Sequence, residues 1–503
     1  MSAKKRIVIT ALGRQGWAIT RQLVHLLGDE DYTLYVYDKV RAHEEERLLS
    51  SLRSANSGTS GSTMSAVQKA YHEGRIKKIR ELKPELDKDD ISDKELKEVI
   101  VWLEPDLIIN AATFTGHELY TKIAFQADAD YIDLGQDTWR AMGQRAWDQR
   151  IVAEGRSMRL VPEAGLAPGL VNILGDWLLQ SGGDSLYIRV GGLPIHAFKG
   201  GELHYGASWS LEGVVKEYTD TTIMRRNGHL VPVQGLYAHD ERENPGQGAR
   251  GVDPLQIRNM EIIERIEEII NQIDREAQNA TDDQARRKAE EHLAVMRLYF
   301  AQNGSADALE IRSIEACPTS DGISLMPFDE GYVGVPNLDY KTLRYAGHFD
   351  CVEQSIEDDT LKEKIKNVPS ASPDLVLLRV WSEQNGIQKR MVECIVLGDP
   401  QLDNAGPEEE PELGPEQVFT AMQHLTGWPT VLMAQALLNS RPYSAESRPK
   451  LFGKDRTLWS GRRLEDVLAK GGVIMPYELV DGGELLSELT SGNLIPQCEF
   501  HSL

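Results

Sequence analysis

Residues 6–19 read RIVITALGRQGWAI, and the pattern of this stretch decides the fold. Arg6 to Thr10 is apolar and β-branched, as a buried parallel strand requires. Gly13 and Gly16 follow at the spacing of the second and third glycines of G-x-G-x-x-G, with Ala11 in the first position. Ala18, Ile19, Leu23 and Leu26 then recur at helical spacing. The stretch is a strand, a tight turn and a helix. In such a loop the second glycine lets the backbone approach a pyrophosphate, and the third lets helix and strand pack closely. The first serves the turn, where alanine costs little if its φ stays negative. Phosphates would lie on the unpaired N–H groups at the helix start. The expected cofactor loop is therefore Ala11, Gly13, Arg14, Gln15 and Gly16. Trp17, just inside the helix, is expected to pack against a neighbouring element.

The context extends the pattern. YTLYVYDKV (Tyr32 to Val40) reads as a second strand, and Asp38 at its end lies 22 residues beyond Gly16. An acid there meets the adenosine ribose hydroxyls, which favours NAD because a carboxylate repels a 2′-phosphate. Lys39 and Arg41 beside it keep NADP open. A strand near Lys77 to Leu82 and a helix near Asp93 to Trp102 follow, then the short apolar strand Asp106 to Asn110. The turn Asn110-Ala111-Ala112 at its C-terminal end is expected near the nicotinamide, since ligands of open parallel sheets bind at strand C-termini. Further strands at Tyr131 to Leu134 and in RLVPEAGLAPG, before a helix starting near Pro168, continue the alternation to about residue 180. This is a doubly wound α/β domain.

The chain of 503 residues is too long for one core. Its formal net charge of −23 argues against nucleic acid and anionic membrane as partners. With no signal-like start and no apolar run long enough to span a bilayer, a cytoplasmic location is the expectation. Four scattered cysteines agree with reduced thiols and show no metal spacing. Neither a metal site nor a serine or cysteine nucleophile arrangement is apparent.

Beyond residue 180 the pattern becomes β-rich. SLYIRVGGLPIHAF, LDYKTLRYAGH (Leu338 to His348) and Asp374 to Gly398 read as strands, the last as a hairpin turning at Gln384-Asn385-Gly386. Within this second sheet domain, apolar spacing over 255–278 and 282–301 predicts an inserted helical hairpin about 255–301. Residues 42–73 hold a polar excursion, and 406–415 an acidic, solvated loop. Thr420 to Leu438 reads as a long apolar helix with Pro429 as its kink site.

Five stretches, in order, carry a resemblance: LVPEAGLAPGLVNILGDWLL, VGGLPIHAFKGGELHYGASWSLEGVVKEYTDTTIMRRNGHLVPV, LDYKTLRYAGH, DLVLLRVW and TAMQHLTGWPTVLMAQALL. Together they resemble the saccharopine dehydrogenase-like family, which includes glutamate-forming saccharopine reductases, lysine 6-dehydrogenases and carboxynorspermidine synthases. The similarity covers most of the chain outside 42–75 and 253–330. The DLG of Asp133 to Gly135, LRYAGH and TAMQHLTGW look most like lysine 6-dehydrogenase. The resemblance implies a Rossmann domain over 1–137, completed by about 415–503, and a substrate-binding, dimerising α/β domain with a mixed sheet over 138–414. It implies a homodimer and oxidation of a C–N bond, or the reverse reduction, with a nicotinamide as hydride carrier. Ala11 and the inserts depart from the family pattern.

Oxidising an amine requires a neutral nitrogen, hence a base or relay. Glu163, before the Gly-Leu-Ala-Pro-Gly turn, is a candidate base or ammonium ligand whose burial would raise its pKa. Asp133 ends the neighbouring strand, and orients cofactor or substrate or merely caps a turn. His348 suits proton transfer near neutrality. Lys199, His204, Tyr205 and Trp209 lie on a glycine-rich stretch within reach of a substrate, with Lys199 or Arg344 as carboxylate partner. The expectation is an NAD(P)-dependent dehydrogenase acting on CH–NH or CH–NH2 groups, with lysine or a related amine as substrate. A reductive condensing synthase and a non-catalytic nucleotide-binding scaffold are the alternatives.

Overall fold

The computed structural model describes residues 4–38, 66–82, 91–194, 202–236, 314–398, 419–491, 498–501 and isolated positions. Excepted within these ranges are Asp29, Gln136, His204, Ala207 to Trp209, Asp321, Ala346 and residues 368–373. The first strands are β1 (Lys5–Thr10), β2 (Tyr32–Tyr37), β3 (Ile76–Lys78), β4 (Leu107–Asn110), β5 (Asp130–Asp133) and β6 (Arg159–Val161). Then come β7 (Ser185–Pro194), β8 (Thr221–Arg226), β9 (His229–Gln234), β10 (Ile314–Cys317), β11 (Asn337–Tyr345), β12 (Asp374–Gln384) and β13 (Ile387–Leu397). The C-terminal part adds β14 (Gly472–Val473) and β15 (Cys498–His501).

Seven strands form one parallel sheet in the order β14-β6-β5-β4-β1-β2-β3. Ile7, Val8 and Ile9 of β1 are fully buried, as a central strand covered on both faces must be. The chain winds outward to β3 and then returns to β4 on the other side of β1. That reversal opens a crevice above the C-terminal ends of β1 and β4. Eight strands form a second, mixed sheet in the order β15-β13-β12-β7-β11-β8-β9, with β10 paired to β11. Only β7 and β11 run parallel there. The molecule is thus an α/β protein with a Rossmann-like sheet and a second, mixed-sheet domain.

Seven helices position the residues discussed below: α1 (Arg14–Leu27), α2 (His117–Ala127), α3 (Thr138–Arg145), α4 (Leu170–Gln180), α5 (Leu211–Thr219), α6 (His348–Glu357) and α7 (Ala421–Asn439). Alternate residues Leu186, Ile188 and Val190 of β7 and Val376, Leu378 and Val380 of β12 share one apolar core with Ile173 and Leu174 of α4. The same core reaches the first sheet through Leu432 and Val431 of α7. Thr420 caps α7 by accepting from the Gln423 N–H at 3.0 Å, and the Asp374 carboxylate accepts from Ala421 N–H at 2.7 Å. α7 lies along α1 because Gly427 has no side chain: a Cβ there would stand 1.8 Å from Gln22 Oε1. The helix runs on through Pro429.

Several expectations need correction. The strand near Lys77 to Leu82 is only β3; Ile79–Leu82 is a helical turn. The first sheet does not stop at residue 137, since β6 belongs to it; β14, within the expected completing segment, joins it as well, while β15 joins the second sheet. The hairpin expected at 255–301 lies, but for Arg275 and Gln278, outside the described residues, as does the acidic loop. Of the stretch 42–73 the description begins at the helix Ala66–His72. Asn385 and Gly386 turn the β12–β13 hairpin with φ of 55° and 74°, the left-handed pair a two-residue turn needs. No helix among the described residues is long and apolar enough to cross a membrane.

Candidate active site

The loop after β1 is built for close approach. Gly13 caps α1 with no side chain, and a Cβ placed on it would meet nothing within 4 Å. A Cβ on Gly16 would stand 1.8 Å from Ala11 O and 3.2 Å from Ala111 Cβ, so this position admits only glycine. The first turn of α1 carries no acidic residue that would compete with an anion at its N-terminus. Asp38 is 5% exposed, and its Oδ2 accepts from the Leu12 N–H at 2.7 Å. It ties the loop to the end of β2. Ala11 corrects the sequence reading: its φ is +65°, not negative, so alanine here carries a strain that glycine would not. Trp17 packs on the core, with the Arg21 guanidinium 5.7 Å from its ring centre. An open approach, a helix start without acids and a carboxylate at the end of β2 together fit a dinucleotide.

The turn after β4 is held from within. The Asn110 amide is fully buried: its Oδ1 accepts from Thr10 Oγ1 at 2.8 Å and its Nδ2 donates to Tyr131 Oη at 2.9 Å. Its side chain therefore serves the fold, and Ala111 and Ala112 are the partly exposed residues of the turn. Asp133 is likewise saturated. Its Oδ1 accepts from Gly135 N–H at 2.9 Å and Glu163 N–H at 3.1 Å, and its Oδ2 takes the Gln144 amide. It binds two strand ends together rather than facing a substrate.

Glu163 is what Asp133 holds. Its φ of +61° is a left-handed conformation that only a surrounding framework maintains, and Gly135 comes close enough that a Cβ there would lie 3.1 Å from Glu163 Cα. The carboxyl is 2% exposed and takes a hydrogen bond from Ser324 Oγ. Burial pushes its pKa up to about 8, against the lowering pull of Ser324 and Arg145. Ser324 belongs to the segment between β10 and β11. Asn172 of α4 holds that segment by donating to Ile323 O at 3.1 Å.

Around Glu163 lies a buried network that no local sequence signal announced. Arg145 at the end of α3 pairs with Asp329 at 2.6 Å and donates to Tyr477 Oη at 3.0 Å. Arg456 grips Asp176 at 2.9 Å, and Tyr332 also donates to that carboxylate. Glu478 accepts from Trp459 N–H at 2.6 Å and Met475 N–H at 3.0 Å, and burial pushes it up to about 7. Asp176 and Asp329 are raised by burial too. Carboxyl groups outnumber guanidiniums here. Burial favours the protonated form of each carboxyl group, and a cationic ligand would offset the deficit of positive charge.

The second-sheet candidates fare differently. His348 is fully buried at the start of α6, with Nδ1 on Leu203 O at 2.5 Å and Nε2 on Tyr218 Oη at 2.8 Å. Both nitrogens are occupied within the fold, which does not suit the proton transfer expected of it. Arg344 Nη2 donates to both carboxylate oxygens of Glu217, at 3.0 and 2.9 Å, and the guanidinium lies 4.9 Å from the centre of the buried Tyr205 ring. Its charge is already met, which removes it as partner for a substrate carboxylate. Tyr205 is 1% exposed and part of this packing. Lys199, His204 and Trp209 lie outside the described residues.

No family model matches the sequence. Saccharopine dehydrogenase (L-Glu forming) from Saccharomyces cerevisiae aligns over 99% of this chain and 100% of its own, at 12% identity and a TM-score of 0.53. The homospermidine synthase of Legionella pneumophila, solved in complex with NAD, aligns over 99% of this chain and 92% of its own, at 11% identity and a TM-score of 0.42. The second likeness is too loose to weigh. The first shows that this chain has the fold of the yeast saccharopine dehydrogenase.

Proposed function

We propose that the protein is an NAD(P)-dependent oxidoreductase acting on the C–N bond of an amino acid or amine, most like lysine 6-dehydrogenase in its reaction. The observation that carries this reading is the placement of Glu163. A buried carboxyl raised to about 8 stands at the end of β6, in the sheet whose β1–α1 loop fits a dinucleotide. The bound dinucleotide supplies the hydride acceptor. The chain supplies the rest. Gly13 to Gly16 and Asp38 would hold the cofactor, with the partly exposed turn residues Ala111 and Ala112 beside it. Glu163, once ionised, takes the proton that the substrate ammonium must lose, and Ser324 holds the carboxyl in place. The surplus of carboxyl groups draws the ammonium in. Asp38, at the end of β2 and bonded to the loop through the Leu12 N–H, supports NAD.

One observation favours a second direction. At neutral pH Glu163 is mostly protonated, which suits an acid that assists loss of water when an amine condenses with a carbonyl before reduction. The test is absorbance of reduced nicotinamide, with NAD or NADP and lysine, saccharopine, ornithine and diamines in turn. Reduction of NAD with lysine alone supports the deaminating reading. Silence with every amine, alongside demonstrated NAD binding, moves the assignment to the condensing synthase or to a non-catalytic role.

A further inference from the structure

One side chain at the head of the first sheet has no task in this scheme. His117, the first residue of α2, is 1% exposed. It is brought there by Gly116, which folds so tightly on Ala112 that a Cβ would lie 3.2 Å from the Ala112 Cβ. His117 Nδ1 faces Asp133 Oδ2 at 3.9 Å. Nε2 is buried, and among the described residues it has no hydrogen-bond partner. Asp133 cannot turn to serve it, because its oxygens already hold Gly135, Glu163 and Gln144. The nearby carboxylate favours a proton on Nδ1, which leaves Nε2 an acceptor. Leaving such an atom bare is costly.

We propose that His117 Nε2 accepts a hydrogen bond from the nicotinamide-riboside half of the bound dinucleotide, from a hydroxyl or the carboxamide N–H. The inference rests on the dinucleotide reading above. Asp38 at the end of β2 fixes the adenosine side, and the loop at Gly13 and Gly16 fixes the pyrophosphate. The other half must then cross β4 toward β5. There Ala111 lies against Gly16, Ala112 against Gly116, and His117 against Asp133. Asp133, 3.9 Å from His117 Nδ1, lies beside this contact, and its hydrogen bond positions Glu163 instead.

Calorimetric titration of the whole protein separates this role from a structural one. The ligands are NAD or NADP, whichever the wild type binds, and the matching adenosine half, ADP or its 2′-phosphate. His117→Ala and His117→Asn are expected to weaken the dinucleotide about tenfold while the adenosine half binds within about twofold of wild type. His117→Gln, whose amide reaches the position of Nε2, is expected to recover part of the loss. Equal weakening of both ligands would show that His117 only supports the loop, and overturns the proposal. Unchanged dinucleotide affinity in a folded His117→Ala would also overturn it, the nitrogen then being satisfied by water. A wild type that binds neither ligand brings down the dinucleotide reading itself, before any variant is made.

Discussion

Two buried clusters of charge in this molecule are built on opposite rules. In the second sheet Glu217 meets Arg344, Arg344 donates to Tyr218, Tyr218 meets His348, and His348 meets a backbone carbonyl. One carboxylate answers one guanidinium, and the chain of bonds closes. At the head of the first sheet Glu163, Asp176, Asp329 and Glu478 face Arg145 and Arg456, and two of the four are raised to about 8 and about 7. Glu163 and Ser324, which touch there, both have positive φ. A satisfied network specifies a fold. An under-compensated one with strained backbone keeps protons to exchange and leaves room for a charge to be added. By residue type the histidine and arginine of the second sheet look the better catalysts; by their partners they are structural.

The contrast is best broken by two substitutions made side by side. Glu163→Gln keeps the shape and, at neutral pH, nearly the charge. Turnover is expected to fall by about 10²–10⁴-fold, with the denaturation midpoint near that of wild type. Arg344→Leu leaves Glu217 buried without its counter-charge, with Thr342 Oγ1 still donating to it. It is expected to cost about 3–5 kcal/mol of stability, while the protein that remains folded binds dinucleotide as before. A stable Arg344→Leu without activity, or a Glu163→Gln that unfolds with activity intact, would exchange the two roles.

The pH dependence of stability sharpens the same contrast. Glu163 has a folded pKa of about 8 against an ordinary 4.5. Between those values the folded state holds a proton that the unfolded chain has released. The stabilisation is therefore complete below the window and lost as pH rises through it. The slope while the group titrates is at most about 1.4 kcal/mol per pH unit. Glu478 adds a narrower window of the same sign, ending near 7. Urea denaturation at about pH 5.5 and about pH 8.5 should show wild type losing stability and Glu163→Gln losing less. Arg344→Leu should keep the wild-type slope. Equal slopes in wild type and Glu163→Gln would mean that Glu163 is ionised in the folded protein at neutral pH.

The parts of this arrangement that were legible in the sequence are those written within a few residues. RIVITALGRQGWAI contains its own strand, turn and helix, and Asp38 stands at the end of the next strand, so the loop and the doubly wound α/β class follow from local pattern. Glu163 was visible because a glycine-rich turn follows it. Arg145, Ser324, Asp329, Arg456, Tyr477 and Glu478 were not, because nothing near any of them marks it. They come together only when α3, the β10–β11 segment and the C-terminal segment converge. His348 and Arg344 were misjudged for the converse reason. Their chemistry is local and visible, but the partners that neutralise it, Glu217 and Tyr218, lie 126–130 residues away. His117 was passed over since an unpartnered nitrogen is a property of packing alone.

Ala11 tests the smallest step of the comparison, the strain itself. Its φ of +65° belongs to glycine, and its carbonyl oxygen is the atom that forbids a side chain on Gly16. Ala11→Gly relieves the side-chain clash of the left-handed conformation but frees the unfolded chain, and the first effect is the larger at such a position. A gain of roughly 0.5–1 kcal/mol in urea denaturation is expected, with dinucleotide affinity unchanged if the Ala11 backbone stays where it is. A gain in stability together with weaker binding would show that the strained alanine sets the path of the loop from Leu12 to Gly13. The left-handed residues at the head of this sheet would then be part of how it holds its ligand, in contrast to the second sheet's cluster, where Arg344, Tyr218 and His348 have negative φ.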